Sequence, residues 1–212
     1  MIYYDEMGNK REFSSKKKIY KGVYLLDDYE TCLKIGLDER IQLDTLRIIR
    51  GLNLEGMYQL RDFLFDDRGK FMAYTMNYYE ESPVDFLTWP VEYTITNYLK
   101  FLHIVEVMID RGIFITDLHD RNVIINDEGM TIIDADMYVV SKYILSDKIR
   151  EHNYRALANI FISLYYISLC DYHGRRYRDI CGKVEKLFLD RESVSKKLSR
   201  YKYPIDYFLK RN

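Results

Sequence analysis

No other segment constrains the architecture of this chain as tightly as GIFITDLHDRNVIINDEGMTIIDADM, residues Gly112 to Met137. Val123 to Asn126 is rich in β-branched residues, and Asp127-Glu128-Gly129 is a turn signal. A second apolar run follows and delivers Asp134. The pattern predicts a short β-hairpin, with Asp117 and Asn122 at its mouth and Asp134 at its exit. Hard cations prefer oxygen ligands, so Asn122 and Asp134 together suit one Mg²⁺. Asp117 is then left to orient a hydroxyl or a water beside the metal. These are the parts that phosphoryl transfer needs, because its catalysis is mostly positioning and charge stabilisation. A plain hairpin with turn acids and an exposed Asn would share the local pattern. The spacing, the flanking strands and a long preceding helix together set this segment apart.

The same residues resemble the protein kinase superfamily, whose catalytic loop reads H-R-D-L-x-x-x-N and whose metal-binding Asp follows in D-F-G. Here the loop is Ile115-Thr116-Asp117-Leu118-His119-Asp120-Arg121-Asn122, followed by Asp134-Ala135-Asp136. The Asp-to-Asn spacing matches. The His-Arg pair is replaced by Ile115-Thr116, and Phe-Gly by Ala135-Asp136. The D-L-H-x-x-N wording is closer to small, atypical bacterial kinases of the eukaryotic-like Ser/Thr type, and to small-molecule phosphotransferases. His119 stands where a Lys is common; it either contacts the transferring phosphate or substrate, or hydrogen-bonds loop backbone. Asp136 either joins Asp134 on the metal or caps the following turn.

Working outward, Ile19 to Leu26 and Thr31 to Ile35 read as strands separated by the Asp27-Asp28 turn. Lys34 lies in the strand whose kinase counterpart carries the phosphate-binding Lys; a lone strand Lys pointing to solvent is the plainer alternative. Asp38 to Arg50 has helical periodicity, with Ile41, Thr45, Ile48, Ile49 and Leu52 on one face. It resembles the kinase helix whose acid pairs with that Lys. Asp44 and Glu39 are both candidates. Gln59 to Phe65 and Lys70 to Met76 read as strands around Asp66-Asp67-Arg68-Gly69. The resemblance makes Met76 to Tyr79 the hinge, where the backbone of Met76 and Tyr78 would meet adenine. Glu80-Glu81-Ser82-Pro83 is polar and turn-prone, a boundary between lobes.

Val91 to Asp110 is the strongest helix, with Ile95, Tyr98, Leu99, Leu102, Val105, Met108 and Ile109 on one broad face and Gly112 as its stop. Tyr154 to Leu169 reads as a second apolar helix, and Val184 to Leu189 as amphipathic. Two kinase features are altered. The turn expected before the second strand, Ser14-Ser15-Lys16-Lys17-Lys18, has no Gly to let backbone N–H groups approach phosphate. No A-P-E sequence follows Asp134, and little chain precedes the next helix.

Composition bounds these readings. With 212 residues the chain can bury one sizeable core or two small lobes. A hydrophobic share of 48% fits a folded protein, and a net charge of -1 supplies no global drive toward nucleic acid. Cys32, Cys170 and Cys181 are scattered and odd in number, which fits free thiols in a reducing compartment. No signal-peptide pattern or membrane-length apolar run is evident, so a cytoplasmic protein with no membrane or nucleic-acid partner is expected.

The resemblance therefore implies an α+β, two-lobed protein-kinase-like fold in a single domain. Its small antiparallel-sheet lobe would span residues 1–80 and its reduced helical lobe residues 81–212. It implies ATP and Mg²⁺ (or Mn²⁺) as cofactors, with Lys34 on the phosphates, Asp117 as base and Asn122 and Asp134 on the metal. The order of elements favours a minimal protein Ser/Thr kinase. A small-molecule phosphotransferase of the aminoglycoside- or choline-kinase type and a catalytically inactive kinase-like binding protein are the alternatives.

Overall fold

The computed structural model describes residues 1–37, 40–81, 88–141, 146–170 and 177–209. The chain divides into two compact units, Met1–Glu80 and Glu81–Asn212. Residues 82–87 lie outside the described residues, so the expected boundary stretch is described only at Glu80 and Glu81.

The first unit is built on a seven-stranded antiparallel sheet in the order β2-β1-β6-β7-β5-β4-β3. Its strands are β1 (Ile2–Tyr4), β2 (Lys10–Glu12), β3 (Ser15–Tyr20), β4 (Val23–Leu26), β5 (Thr31–Ile35), β6 (Leu60–Phe65) and β7 (Phe71–Asn77). Leu26, Leu33, Leu64 and Ala73 form a buried cluster on the sheet, with Tyr3, Phe13 and Ile35 against it. The turn acids act as the sequence suggests. Asp28 accepts from the N–H groups of Glu30 and Thr31 at 3.0 and 2.9 Å, and Asp66 from those of Arg68 and Lys70 at 2.9 and 2.8 Å. Cys32 is a free, buried thiol, pushed up to about 11 by burial and then by the charge of Asp28.

The lysine run is not a turn. Ser15–Tyr20 is a fully exposed edge strand, where lysines discourage further strand pairing. The chain turns instead at Lys21-Gly22, which splits the expected run Ile19 to Leu26. Gly22 is required there: its φ is +76°, and a Cβ would lie 2.6 Å from the Ile35 carbonyl oxygen. A glycine therefore does stand between the first two strands of the β3-β4-β5 meander, beside the strand that carries Lys34.

Helix α1 (Leu43–Leu52) starts five residues later than the periodicity from Asp38 suggests, and it buries Thr45, Leu46 and Ile49. Its outer face is tied to the N-terminal hairpin by Glu6, which meets Arg47 at 3.0 Å and Arg50 at 2.8 Å. Burial pushes the Glu6 carboxyl up, but the hydrogen bonds from Arg50 and Arg47 outweigh it and hold the group below its ordinary value.

The second unit is mainly helical. Helix α2 (Val91–Asp110) has the bounds that the sequence implies, but its buried face is rotated. Leu99 is exposed, whereas Thr94 and Asn97 are buried. Gly112 (φ +66°) ends it, its N–H donating to Ile109 O at 2.9 Å. The chain then forms β8 (Ile113–Phe114), the hairpin β9 (Val123–Asn126) and β10 (Gly129–Ile132), and β11 (Val139–Val140), which returns antiparallel to β8. Helix α3 (Ser146–Cys170) begins well before Tyr154. It is followed by α4 (Tyr177–Leu189), α5 (Val194–Leu198) and α6 (Pro204–Leu209). Phe161 stacks on Phe188 at 4.3 Å and meets Tyr98 edge-on at 5.6 Å, which joins α3, α4 and α2. No helix among the described residues is long and apolar enough to cross a membrane.

Candidate active site

The segment from Ile113 to Val140 is held by backbone and amide bonds at each step. The β9-β10 register pairs Val123 with Ile132, and the Ile133 N–H donates to Asn122 O at 2.8 Å. That register brings Asn122 and Asp134 to the open end of the hairpin. At the tip, Met130 N–H donates to Asn97 Oδ1 of α2 at 2.8 Å. Gly129 leaves room for that amide, since a Cβ there would sit 2.7 Å from Asn97 Oδ1.

A short 3₁₀ turn, Asp120–Asn122, closes the loop before the hairpin. The buried Asn122 donates through Nδ2 to Asp117 O at 2.8 Å and more weakly to Asp117 Oδ2 at 3.4 Å. This orientation commits the amide nitrogen to the loop and turns Oδ1 to other use. His119 Nε2 lies 3.4 Å from Asp117 Oδ1, and its Nδ1 is buried without a protein partner among the described residues. His119 thus faces the Asp117 carboxylate rather than loop backbone. The Asp117 side chain itself is 45% exposed, which leaves it accessible to an incoming group.

Asp134 has φ +61°, the left-handed region, where a non-glycine residue costs on the order of 1 kcal/mol or more. Asp136 is buried, 5% exposed, in the turn closed by Tyr138 N–H donating to Ala135 O at 3.0 Å. Thr116, at the position of the usual Arg, hydrogen-bonds through its hydroxyl to Met137 O.

Two polar residues on helix α3 hold the entry to this loop. Asn153, fully buried, accepts from Ile115 N–H at 2.9 Å and donates to Ile113 O at 2.8 Å. His152 Nε2 lies 2.7 Å from Ile115 O, and its ring stacks on Phe114 at 4.0 Å. Sequence reasoning missed Asn97 and Asn153. Each is a lone amide on the apolar face of a long helix, and that misfit was the available signal.

In the first unit the predicted residues are less closely organised. Lys34 pairs across the sheet with Tyr74, and its ammonium lies 6.0 Å from that ring's centre. Asp44 lies on the helix of this unit. It stands in the first turn of α1 with its carboxylate 91% exposed and paired with Arg47 at 3.2 Å, so its position gives no support to a pairing with Lys34. Glu39 lies outside the described residues. Met76 sits between Cys32 of β5 and Leu60 of β6, with sheet partners on both sides. The Tyr78 N–H already donates to Glu30 O at 2.7 Å.

Among the described residues no group of three His, Cys, Asp or Glu side chains could hold a metal alone. Mg²⁺ is commonly bound by one or two carboxylates plus substrate phosphates and waters. Asp134 and the side-chain Oδ1 of Asn122 are oxygen donors of the type such a shell would use.

No protein-family model matches the chain, and no curated protein sequence does. Solved structures do match. One is the Cydia pomonella granulovirus kinase PK-1, at 14% identity and TM-score 0.56, over 91% of this chain and 80% of that one. Identity this low speaks to architecture alone, and the architecture is protein-kinase-like, a mixed fold of antiparallel sheet and helices.

Proposed function

We propose that the chain is a Mg-ATP-dependent phosphotransferase that acts on a hydroxyl group, with a Ser or Thr of a protein as acceptor. Residues 1–80 and 81–212 are read as the two lobes of one kinase-like domain. Asn122 and Asp134 hold the metal on the nucleotide phosphates. Lys34 neutralises phosphate charge, Asp117 orients the acceptor hydroxyl and takes its proton, and His119 steadies the Asp117 carboxylate. The observation that carries this reading is the loop geometry: Asn122 braces Asp117 through Nδ2, while the hairpin register brings the same Asn to Asp134.

One observation favours a second reading, a kinase-like binding protein without transfer activity. The Tyr78 N–H is engaged by Glu30, which removes a donor for adenine. Incubation with labelled ATP and Mg²⁺ or Mn²⁺, with and without protein acceptors, separates the two. General-base assistance is worth about 10²–10⁴-fold and acts mainly in the transition state. Asp117→Asn should therefore cut transfer by at least about a hundredfold, with Mg-ATP affinity unchanged within a few-fold. Wild-type protein that transfers nothing to itself or to any acceptor supports the binding-protein reading. Undiminished transfer by Asp117→Asn removes Asp117 from the mechanism.

A further inference from the structure

The outer edge of the first unit carries a charge that its fold leaves unbalanced. Strand β3 (Ser15–Tyr20) ends the sheet, pairs with β4 on one side and is exposed at every residue. It holds Lys16, Lys17 and Lys18, and Lys21 follows in the turn. Other cations of this unit are ion-paired: Lys10 meets Glu12 at 2.7 Å, and Arg47 and Arg50 meet Glu6 at 3.0 and 2.8 Å. Lys17, Lys18 and Lys21 make no ion pair among the described residues, and the Lys16 ammonium lies 4.1 Å from the centre of the Tyr29 ring.

The acids nearest in sequence are occupied elsewhere. Asp27 accepts from the Ser14 hydroxyl. Asp28 accepts from the Thr31 hydroxyl at 2.6 Å and from the N–H groups of Glu30 and Thr31. Apolar surface accompanies the lysines: Ile19 is 42% exposed, Tyr20 74% and Tyr29 53%.

Two properties of this edge define its partner. Among the described residues, no strand lies opposite the outward N–H and C=O groups of β3, and such a row is the template that an extended peptide completes. The lysines then decide which peptide. A second copy of β3 would set lysine against lysine, and like charges directly opposite destabilise a strand pair. A strand bearing Asp or Glu meets the reverse condition, so the charges that repel other strands hold this one. Nucleic acid would satisfy the charge but leave the backbone ladder unpaired. Register shifts on either side of Lys17-Lys18 keep the regular ladder short, which suits a short segment.

We propose that the β3 edge is a docking site for a short, extended, acidic peptide segment of another protein, which adds to the sheet as a further strand. Backbone hydrogen bonds supply the alignment, and Lys16, Lys17 and Lys18 select for carboxylates. The site stands whether or not the chain transfers phosphate.

Fluorescence polarisation on the full chain tests it. The probe is a labelled peptide of about eight residues that alternates Glu and Val, within the usual strand length. Expected is saturable binding that weakens as salt rises. The exposed triple change Lys16→Gln, Lys17→Gln and Lys18→Gln should weaken it by at least about tenfold. Two further peptides, N-methylated on every Glu or on every Val, keep the charge but block one edge each. One of the two should bind about tenfold more weakly than the parent. No binding of the acidic probe, or unchanged binding by the triple variant, overturns the proposal. Equal binding of all three peptides overturns strand addition. Tighter binding of a single-stranded oligothymidylate would make the edge a nucleic-acid site, and full displacement of the peptide by Mg-ATP would assign the lysines to nucleotide phosphates; either result overturns the proposal.

Discussion

The segment 113–140 and the strand–helix region around Lys34 were expected to serve one reaction, yet they are organised differently. In the first, the candidate residues hold one another: Asn122 bonds Asp117, His119 faces Asp117, and Ile133 bonds Asn122. In the second, the candidates are occupied with the fold itself. Asp44 pairs with Arg47 in solvent, the Tyr78 N–H serves Glu30, and Met76 lies within the sheet. A loop and hairpin within one short stretch can encode mutual contacts by spacing. Residues spread over several strands and a helix meet only through long-range pairing, which spacing does not report.

Breaking the support of the tightly held segment should have the largest effect on stability. Asn153→Ala would leave Ile115 N–H and Ile113 O without their side-chain partner, beside residues that are almost fully buried. At about 1–3 kcal/mol for each unsatisfied group, the loss should be roughly 2–6 kcal/mol. Urea unfolding measures it. A loss well under about 1 kcal/mol would mean that α3 does not anchor the loop.

The looser region predicts a split between two residues once expected to act together. Lys34→Ala should weaken Mg-ATP binding by about ten- to a hundredfold, the worth of one charge-assisted hydrogen bond. Asp44→Ala should leave binding unchanged and move stability by less than about 0.5 kcal/mol, as for an exposed helix pair. Calorimetric titration of both variants decides this. An equal loss of affinity in the two would restore the Lys34–Asp44 pairing.

The smallest effect concerns Glu6 and appears in acid. Its folded pKa lies below the unfolded one, so the carboxylate contributes stability above the unfolded value. That contribution is lost as pH falls through the folded value. Glu6→Gln should cost less than about 1 kcal/mol at neutral pH, and its melting curve should converge on the wild-type curve as pH falls through the folded value. A constant offset at all pH values would show that Glu6 acts by packing rather than by charge.

How far the sequence could be read follows the same division. The hairpin Val123–Asn126/Gly129–Ile132, the bounds of α2 and the strand carrying Lys34 were all legible, because each rests on a local period bounded by turn residues. The lysine run misled, since a charged exposed edge strand looks like a turn when its sheet partner is unknown. The late start of α1 and the rotated face of α2 reflect tertiary choices, Asn97 being buried to hold Met130 while Leu99 faces solvent.

The most direct test concerns Asp134, whose left-handed backbone at φ +61° is strained for any residue but glycine. Asp134→Gly should relieve that strain and leave the ligand-free protein folded. The same change removes the proposed metal ligand. In a thermal-shift titration, Mg-ATP should raise the melting temperature of the wild-type protein and leave that of Asp134→Gly essentially unmoved. Equal stabilisation of the two by Mg-ATP would contradict the account, because Asp134 would then hold no metal.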